Sequence, residues 1–179
     1  MSRSHPNSPR PSISRTPAPH PSSHAPASSP PVRRPGVLLV TPSRTQRDML
    51  AAQLTTRGFS VHHAAGAEEA LQLLSPGGPA RGVQSVLVAW ALSDGDAMEL
   101  VETMVRRRPH LAPIVLADDL DHEQALHAMR CGAADVLPAR PDADTLTWRI
   151  AQAVARRHPA AQLDPRAPRA LRLCRTLAG

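Results

Sequence analysis

Short apolar runs that alternate with helix-forming segments are the feature that most constrains the fold of this 179-residue chain. Residues 37–40 are all aliphatic, and residues 85–90 and 113–117 are almost as apolar. A strand with apolar side chains on both faces must be covered on both faces, which is typical of a parallel sheet between two layers of helices. Two shorter segments, residues 59–61 and 134–137, predict two further strands.

Five helices are predicted between and after these strands. Ser43 can cap the first helix, and Gly58 and Gly132 can end the first and the fourth in the left-handed conformation. On the fourth helix, Leu126 and Met129 are predicted to face inward. The predicted helices comprise residues 44–57, 67–74, a segment through Met98, Val101 and Met104, residues 123–131 and residues 142–157.

Five strands that alternate with five helices through short connections predict an α/β fold. Right-handed crossovers between such units give a flavodoxin-like three-layer sandwich, with a five-stranded parallel sheet of strand order 2-1-3-4-5. Ligands of such sheets approach the carboxyl ends of the strands. The residues that directly follow the strands are therefore the first candidates for a functional site.

Composition divides the chain into three parts. Residues 1–35 contain ten Pro and nine Ser but no Asp or Glu, which predicts a disordered basic leader. Residues 36–157 form the predicted domain, and residues 158–179 form a basic tail. The formal net charge of +6 divides into +5, −2 and +3 over these three parts. Because the positive excess lies outside the domain, a basic face that tracks nucleic acid is not indicated.

Other chemistries lack their sequence signatures. Cys131 and Cys174 are too far apart in sequence to form a metal-binding pair, and they do not suggest a disulfide framework. No Gly-rich phosphate loop follows the first strand, which argues against a nucleotide-binding enzyme, and no Ser-His-Asp arrangement is discernible. The sequence therefore predicts neither an enzyme nor a bound cofactor or metal. The start of the chain lacks the apolar core of a signal peptide, and the longest apolar run, residues 86–92, is too short to span a bilayer. These features predict a cytoplasmic protein without a membrane partner.

Several segments of the chain have a recognisable order and spacing. They are residues 37–40, Leu50, Leu54, Gly58, Phe59 and Val61, residues 69–71, residues 96–100 and residues 128–137. Taken together, they resemble the receiver domains of bacterial two-component response regulators, and their order and spacing fit that family almost without insertions. The likeness extends over residues 37–157 and implies the flavodoxin-like fold and a role in phosphorelay signal transduction.

The resemblance also implies that the residues which carry out phosphoryl transfer in this family are absent from this chain. In this family an aspartate at the end of the third strand accepts a phosphoryl group, assisted by Mg²⁺ that two acids after the first strand hold. A hydroxyl after the fourth strand and a Lys after the fifth then hold the transferred group. The corresponding positions are Thr41 and Pro42 for the two acids, Ala89 for the acceptor, Ala117 for the hydroxyl, Ala139 for the Lys and Val136 for the aromatic switch residue of the fifth strand.

These substitutions imply a degenerate phosphoacceptor pocket in a pseudo-receiver that acts by protein-protein interaction, independently of phosphorylation. The family resemblance places the partner surface on residues 123–157, which begin at Glu123 and end at Arg157. The implied partner is a histidine kinase, another regulator or a second copy of the chain, which would give a homodimer.

Two alternatives remain open. A relocated aspartate such as Asp94, five residues beyond Ala89, could accept the phosphoryl group in place of the lost acceptor. A small ligand could instead bind in the hollow that the substituted positions leave at the carboxyl ends of the strands.

Overall fold

The computed structural model describes residues 34–119 and 121–157. The predictions for the leader and the tail concern residues outside these ranges, except for Arg34 and Pro35. Five strands and five helices alternate along the described part of the chain. None of these helices has the length and apolar character that crossing a bilayer requires.

The element bounds lie within a few residues of those predicted. The strands are β1 (Gly36–Val40), β2 (Ser60–Ala64), β3 (Val83–Ala89), β4 (Ala112–Ala117) and β5 (Asp135–Pro138). The helices are α1 (Arg44–Thr56), α2 (Ala67–Leu73), α3 (Ala97–Arg107), α4 (His122–Arg130) and α5 (Ala143–Arg157).

The strands form one parallel sheet of order β2-β1-β3-β4-β5, which confirms the predicted flavodoxin-like fold. Its register brings the carboxyl ends of the four strands β1, β3, β4 and β5 to the same edge of the sheet. The paired residues near this edge are Val40 with Val88, Ala89 with Leu116, and Ala117 with Pro138.

Alternate side chains of the central strands supply two separate cores. Leu38 and Val40 of β1 lie in a core that includes residues of α2, α3 and α4, whereas Val37 and Leu39 lie in a core with residues of α1 and α5. All four side chains are fully buried. Because successive side chains of a strand point to opposite faces, a continuous aliphatic run serves both cores and produces the three layers.

The end of α1 explains why β2 begins one residue later than predicted. Gly58 has a φ of +88°, and the backbone N–H of Phe59 donates to the carbonyl of Leu54 at 3.1 Å. This pattern is a Schellman motif, so Phe59 closes the helix instead of starting the strand. The phenyl ring is buried in the core beside α1 and α5, and β2 continues to Ala64.

The prediction that Leu126 and Met129 face inward is wrong. Their side chains are 41% and 45% exposed, and α4 contacts the core through Ala128, with Cys131 just beyond the helix. Ala128 and Cys131 lie three residues apart on one face, and their short side chains allow the helix to approach the sheet closely. Hydrophobicity by itself favoured the larger side chains. Gly132, with a φ of +100°, ends the segment as predicted.

Candidate functional site

A hollow of about 560 Å³ lies at the carboxyl edge of the sheet, where β1, β3, β4 and β5 end. The parallel register brings together in its wall five residues that are widely separated in sequence. They are the five positions that the sequence analysis assigns to the degenerate pocket: Thr41, Pro42, Ala89, Ala117 and Ala139. Val136 lies apart from the hollow, half-buried in β5 and packed against the core on the α2, α3 and α4 side.

The five residues offer little chemistry. Ala89, Ala117 and Ala139 present only methyl groups, and Pro42 has no ionisable group. Thr41 is 2% exposed, and its hydroxyl donates a hydrogen bond to the side-chain oxygen of Gln46 at 2.7 Å. None of the five can supply a negatively charged oxygen as nucleophile or metal ligand.

Gln46 joins two sides of the hollow, a role that sequence reasoning missed. Its Oε1 accepts from Thr41 after β1, and its Nε2 donates to the carbonyl of Ala139 after β5 at 2.9 Å. The side chain thus connects two loops that are distant in sequence. The only local signal was misleading, because Ser43 and Gln46 have the spacing of a capping box, in which Gln46 would bond back to the Ser43 backbone. Ser43 does cap α1, accepting from the Gln46 N–H at 3.3 Å, but the Gln46 side chain turns to the hollow instead.

The hollow also has charged groups, which the five predicted positions do not supply. Asp118 and Asp119 from the loop after β4 line it, together with Arg140 after β5. Both aspartates are exposed. Within a strand, adjacent side chains point to opposite faces of the sheet. Because both aspartates lie beyond the last residue of β4, this rule does not prevent both from lining the hollow. Trp90 and Met49 add apolar surface to the same wall.

Asp94 belongs to the loop between β3 and α3, and its side chain contacts the first turn of α2. It is not among the residues that line the hollow. Its two carboxylate oxygens accept hydrogen bonds from the backbone N–H groups of Ala67 at 2.8 Å and Glu68 at 3.1 Å. The N-cap residue of α2 is Gly66, which has no side chain to do this, and a Cβ at Gly66 would collide with the Asp94 carboxyl group. The bond from Ala67, followed by that from Glu68, lowers the pKa of Asp94 below its ordinary value of 3.8.

Asp96 is likewise occupied at a helix end. Its Oδ1 accepts from the backbone N–H groups of Met98 at 2.6 Å and Glu99 at 3.0 Å, which caps α3. Within residues 34–119 and 121–157, no three His, Cys, Asp or Glu side chains are grouped so that they could hold a metal ion.

Comparison with known proteins gives a family match and many structural neighbours. Residues 37–151 match the family model for the response regulator receiver domain. The signal receiver domain of an HD domain-containing protein from Pseudomonas fluorescens has 28% sequence identity and a TM-score of 0.63, covering 71% of this chain and 99% of that one. Among curated protein sequences, no match to the chain is found.

More distant solved structures share the same fold. The response regulator receiver domain protein from Methanospirillum hungatei has 20% identity and a TM-score of 0.65, with 72% of this chain and 99% of that one covered. The signal receiver domain of a putative Luxo repressor protein from Vibrio parahaemolyticus has 18% identity and a TM-score of 0.64, with 74% and 98% covered.

Replacing Gln46 by Ala tests the link across the hollow. The variant loses both side-chain hydrogen bonds and leaves the Ala139 carbonyl without this donor, so we expect the free energy of unfolding to fall by about 1–2 kcal/mol. Urea denaturation measures this difference. Gln72→Ala is the matched control, because it makes the same change in an exposed position on α2, where the side chain contacts Glu68 on its own helix. Equal effects of the two substitutions would contradict a stabilising role for the Gln46 link.

Replacing Asp94 by Asn tests its interaction with α2 through pH. Because the folded-state pKa of Asp94 lies below 3.8, its carboxylate contributes stability above that pH and loses the contribution as pH falls through the folded-state pKa. We expect Asp94→Asn to be less stable than the wild type near neutral pH, and the difference to shrink as the pH falls below about 4.

Urea denaturation at several pH values measures this difference. The control is Asp119→Asn, since it makes the same change at another exposed loop position. A difference between Asp94→Asn and the wild type that stays constant down to the lowest pH would contradict the charged interaction.

Proposed function

The chain belongs to the family of response regulator receiver domains, and we propose that it is a degenerate member, a pseudo-receiver that signals through protein contacts without being phosphorylated. Receiver domains are signalling modules of two-component systems. The single observation that carries the proposal is the methyl group of Ala89 in the wall of the hollow. At the end of β3 this family places its acceptor carboxylate, and a methyl group cannot attack phosphorus.

The neighbouring positions support the same proposal. Thr41 and Pro42 stand where the family has its Mg²⁺-binding acids, and a proline ring offers no ligand oxygen. Ala117 and Ala139 take the places of the hydroxyl and the Lys that hold the phosphoryl group, and Val136 that of the aromatic switch. The acceptor, the metal ligands and the groups that respond to phosphorylation are thus replaced together.

The remaining aspartates are poor substitutes. The carboxylate oxygens of Asp94 are both engaged by backbone amides of α2, away from the hollow. Asp118 and Asp119 do line the hollow, but they follow β4, whereas the family's acceptor ends β3. Without acids after β1, neither has a partner there to hold Mg²⁺ against the incoming phosphoryl group.

The Gln46 link fits a domain that no longer switches by charge. In the family, a Lys after the fifth strand reaches across the site to hold the phosphoryl group. Here a neutral amide spans the ends of β1 and β5 with two hydrogen bonds. Because these bonds need no phosphoryl group, the two loops stay connected whether or not a kinase is active.

A small-ligand sensor is the second candidate function. The observation that favours it is the size of the hollow, about 560 Å³, which lies within the range of sites for small organic molecules. Its wall combines the apolar surface of Trp90 and Met49 with the charges of Asp118 and Arg140. A ligand bound there would stabilise the folded state in proportion to the logarithm of its concentration.

The functional unit that we propose is residues 36–157, from the first residue of β1 to the last residue of α5. The basic leader and tail are then accessory segments. The partner surface that we propose lies within the same unit, on residues 123–157.

Exposed apolar side chains support that location. Within the described residues, the large hydrophobic side chains that are exposed are Leu126, Met129 and Trp148, at 41%, 45% and 38%. All three lie on α4 or α5, inside the proposed partner surface. Leu126 and Met129 are three residues apart on one face of α4, so they present a contiguous apolar strip. A protein partner, either a two-component protein or a second copy of the chain, would remove this strip from water.

Treatment with acetyl phosphate and Mg²⁺ tests phosphorylation directly. We expect the intact mass of the full-length protein to remain unchanged, because Ala89 offers no nucleophile. A receiver domain with the family's complete set of acids is the positive control under the same conditions. A gain of one phosphoryl group that disappears in Asp94→Asn would establish the relocated acceptor instead, and a gain that disappears in Asp118→Asn would assign the chemistry to the loop after β4.

Replacing both Leu126 and Met129 by Gln tests the partner surface. Both side chains are exposed, so the melting temperature should change little, whereas association through α4 should weaken. Sedimentation velocity measures self-association, and quantitative affinity capture from the native cell measures other partners. Gln72→Ala, on α2, is the control. Self-association or enriched partners that persist unchanged in the double variant would contradict the proposed surface.

A further inference from the structure

A second depression lies at the opposite edge of the sheet, beside the amino ends of β3 and β4. We call it the basic cleft. It has a volume of about 450 Å³ and is formed by the loop before β3 and the loop between α3 and β4. The side chains that matter for its chemistry are Arg81, Gln84, Arg107, Arg108 and His110.

The charges around the basic cleft all have the same sign. Three arginines line it, and no Asp or Glu is among the residues that do. Within the described residues, no carboxylate lies within ion-pairing distance of Arg81, Arg107 or Arg108. Ion pairs do form elsewhere in these residues, at Arg44, Arg57 and Arg149. Three guanidinium groups around one depression, without acids to balance them, create a local excess of positive charge that favours an anion.

One of these arginines is held in place across the basic cleft. Nη1 of Arg108 donates to the backbone carbonyl of Arg81 at 2.9 Å, which ties the end of α3 to the loop before β3. A guanidinium has five N–H groups, and this bond uses one of them. The side chain therefore presents an ordered set of donors, so that less conformational entropy is lost when a ligand binds.

Helix electrostatics explain only part of this arrangement. Arg106 and Arg107 lie in the last turn of α3, where cations interact favourably with the helix dipole, as the sequence suggests. Arg81 belongs to no helix end, because it lies between α2 and β3. Arg81 lines the basic cleft together with Arg107 and Arg108, which is a property of the tertiary structure that the dipole does not explain.

Gln84 also lines the basic cleft, and its side chain is uncharged. The basic cleft thus offers guanidinium donors to an anion, and no carboxylate of the described residues is paired with them.

The geometry points to a binding site for a small phosphate monoester, of about the size of a nucleoside monophosphate. Arginine suits phosphate because its planar fork can bond two oxygens at once. The volume of about 450 Å³ exceeds what an inorganic ion needs and lies within the range of small-molecule sites. This inference is independent of the function proposed for the hollow, which lies at the other edge of the sheet.

Binding of adenosine 5′-monophosphate to the full-length protein tests the site. Isothermal titration calorimetry should show binding of this probe, adenosine should not bind, and the side-chain amide signal of Gln84 should shift in an NMR titration. The double variant Arg81→Gln/Arg107→Gln should weaken binding at least about tenfold, because each guanidinium contributes a charge-assisted hydrogen bond. Both side chains are exposed, so the variant should keep the wild-type circular dichroism spectrum.

Arg106→Gln is the matched control, since it removes the same charge from the same helix end. Arg106 donates to Thr103 and does not line the basic cleft, so the affinity for the nucleotide should be unchanged. Equal binding of adenosine and its monophosphate would overturn the proposal, as would an equal loss in Arg106→Gln. Undiminished binding in the double variant would assign the phosphate to arginines elsewhere in the chain and would also overturn it, as would an absence of binding by the wild type.

Discussion

Burial of the central strands on both faces is the constraint on which the rest of this structure depends. β1, β3 and β4 have almost no exposed side chain, so their backbone N–H and C=O groups must pair with neighbouring strands. Parallel pairing satisfies them and forces each connection to cross a face of the sheet as a helix. The ends of the strands then meet at two edges of the sheet. The loops that carry functional side chains lie at one edge or the other.

The same arrangement separates the scaffold from the chemistry. The aliphatic run of β1 ends at Val40, directly before Thr41 and Pro42. Ala89 is the last residue of β3, and Ala117 is the last residue of β4. Residues at such positions can change without affecting the cores. The structure therefore retains the receiver fold, while small residues without charge occupy these strand ends. Different residues therefore determine the fold of this protein and the chemistry at the edge of its sheet.

The parallel topology also places negative and positive side chains at different edges of the sheet. Every helix begins at the carboxyl edge, where its unpaired N–H groups favour acceptors, and Asp94, Asp96 and Asp121 occupy such positions at the starts of α2, α3 and α4. The last turn of α3 lies near the opposite edge, where Arg107 and Arg81 both line the basic cleft. The two depressions accordingly differ in character: aspartates and an arginine border the hollow, whereas arginines without acids border the basic cleft.

The sequence by itself determined the order and type of all ten elements, the left-handed glycines that end α1 and α4, and the meeting of five distant residues at one edge. These follow from periodicity, steric preference and parallel pairing, which act over a few residues or apply to any sheet of this kind. Only the tertiary structure decided that Ala128 rather than Leu126 faces the core, that Gln46 spans the hollow, and that Asp94 serves a helix that begins 27 residues before it in the chain. Each of these depends on how closely two distant segments approach, and local sequence carries no measure of that distance.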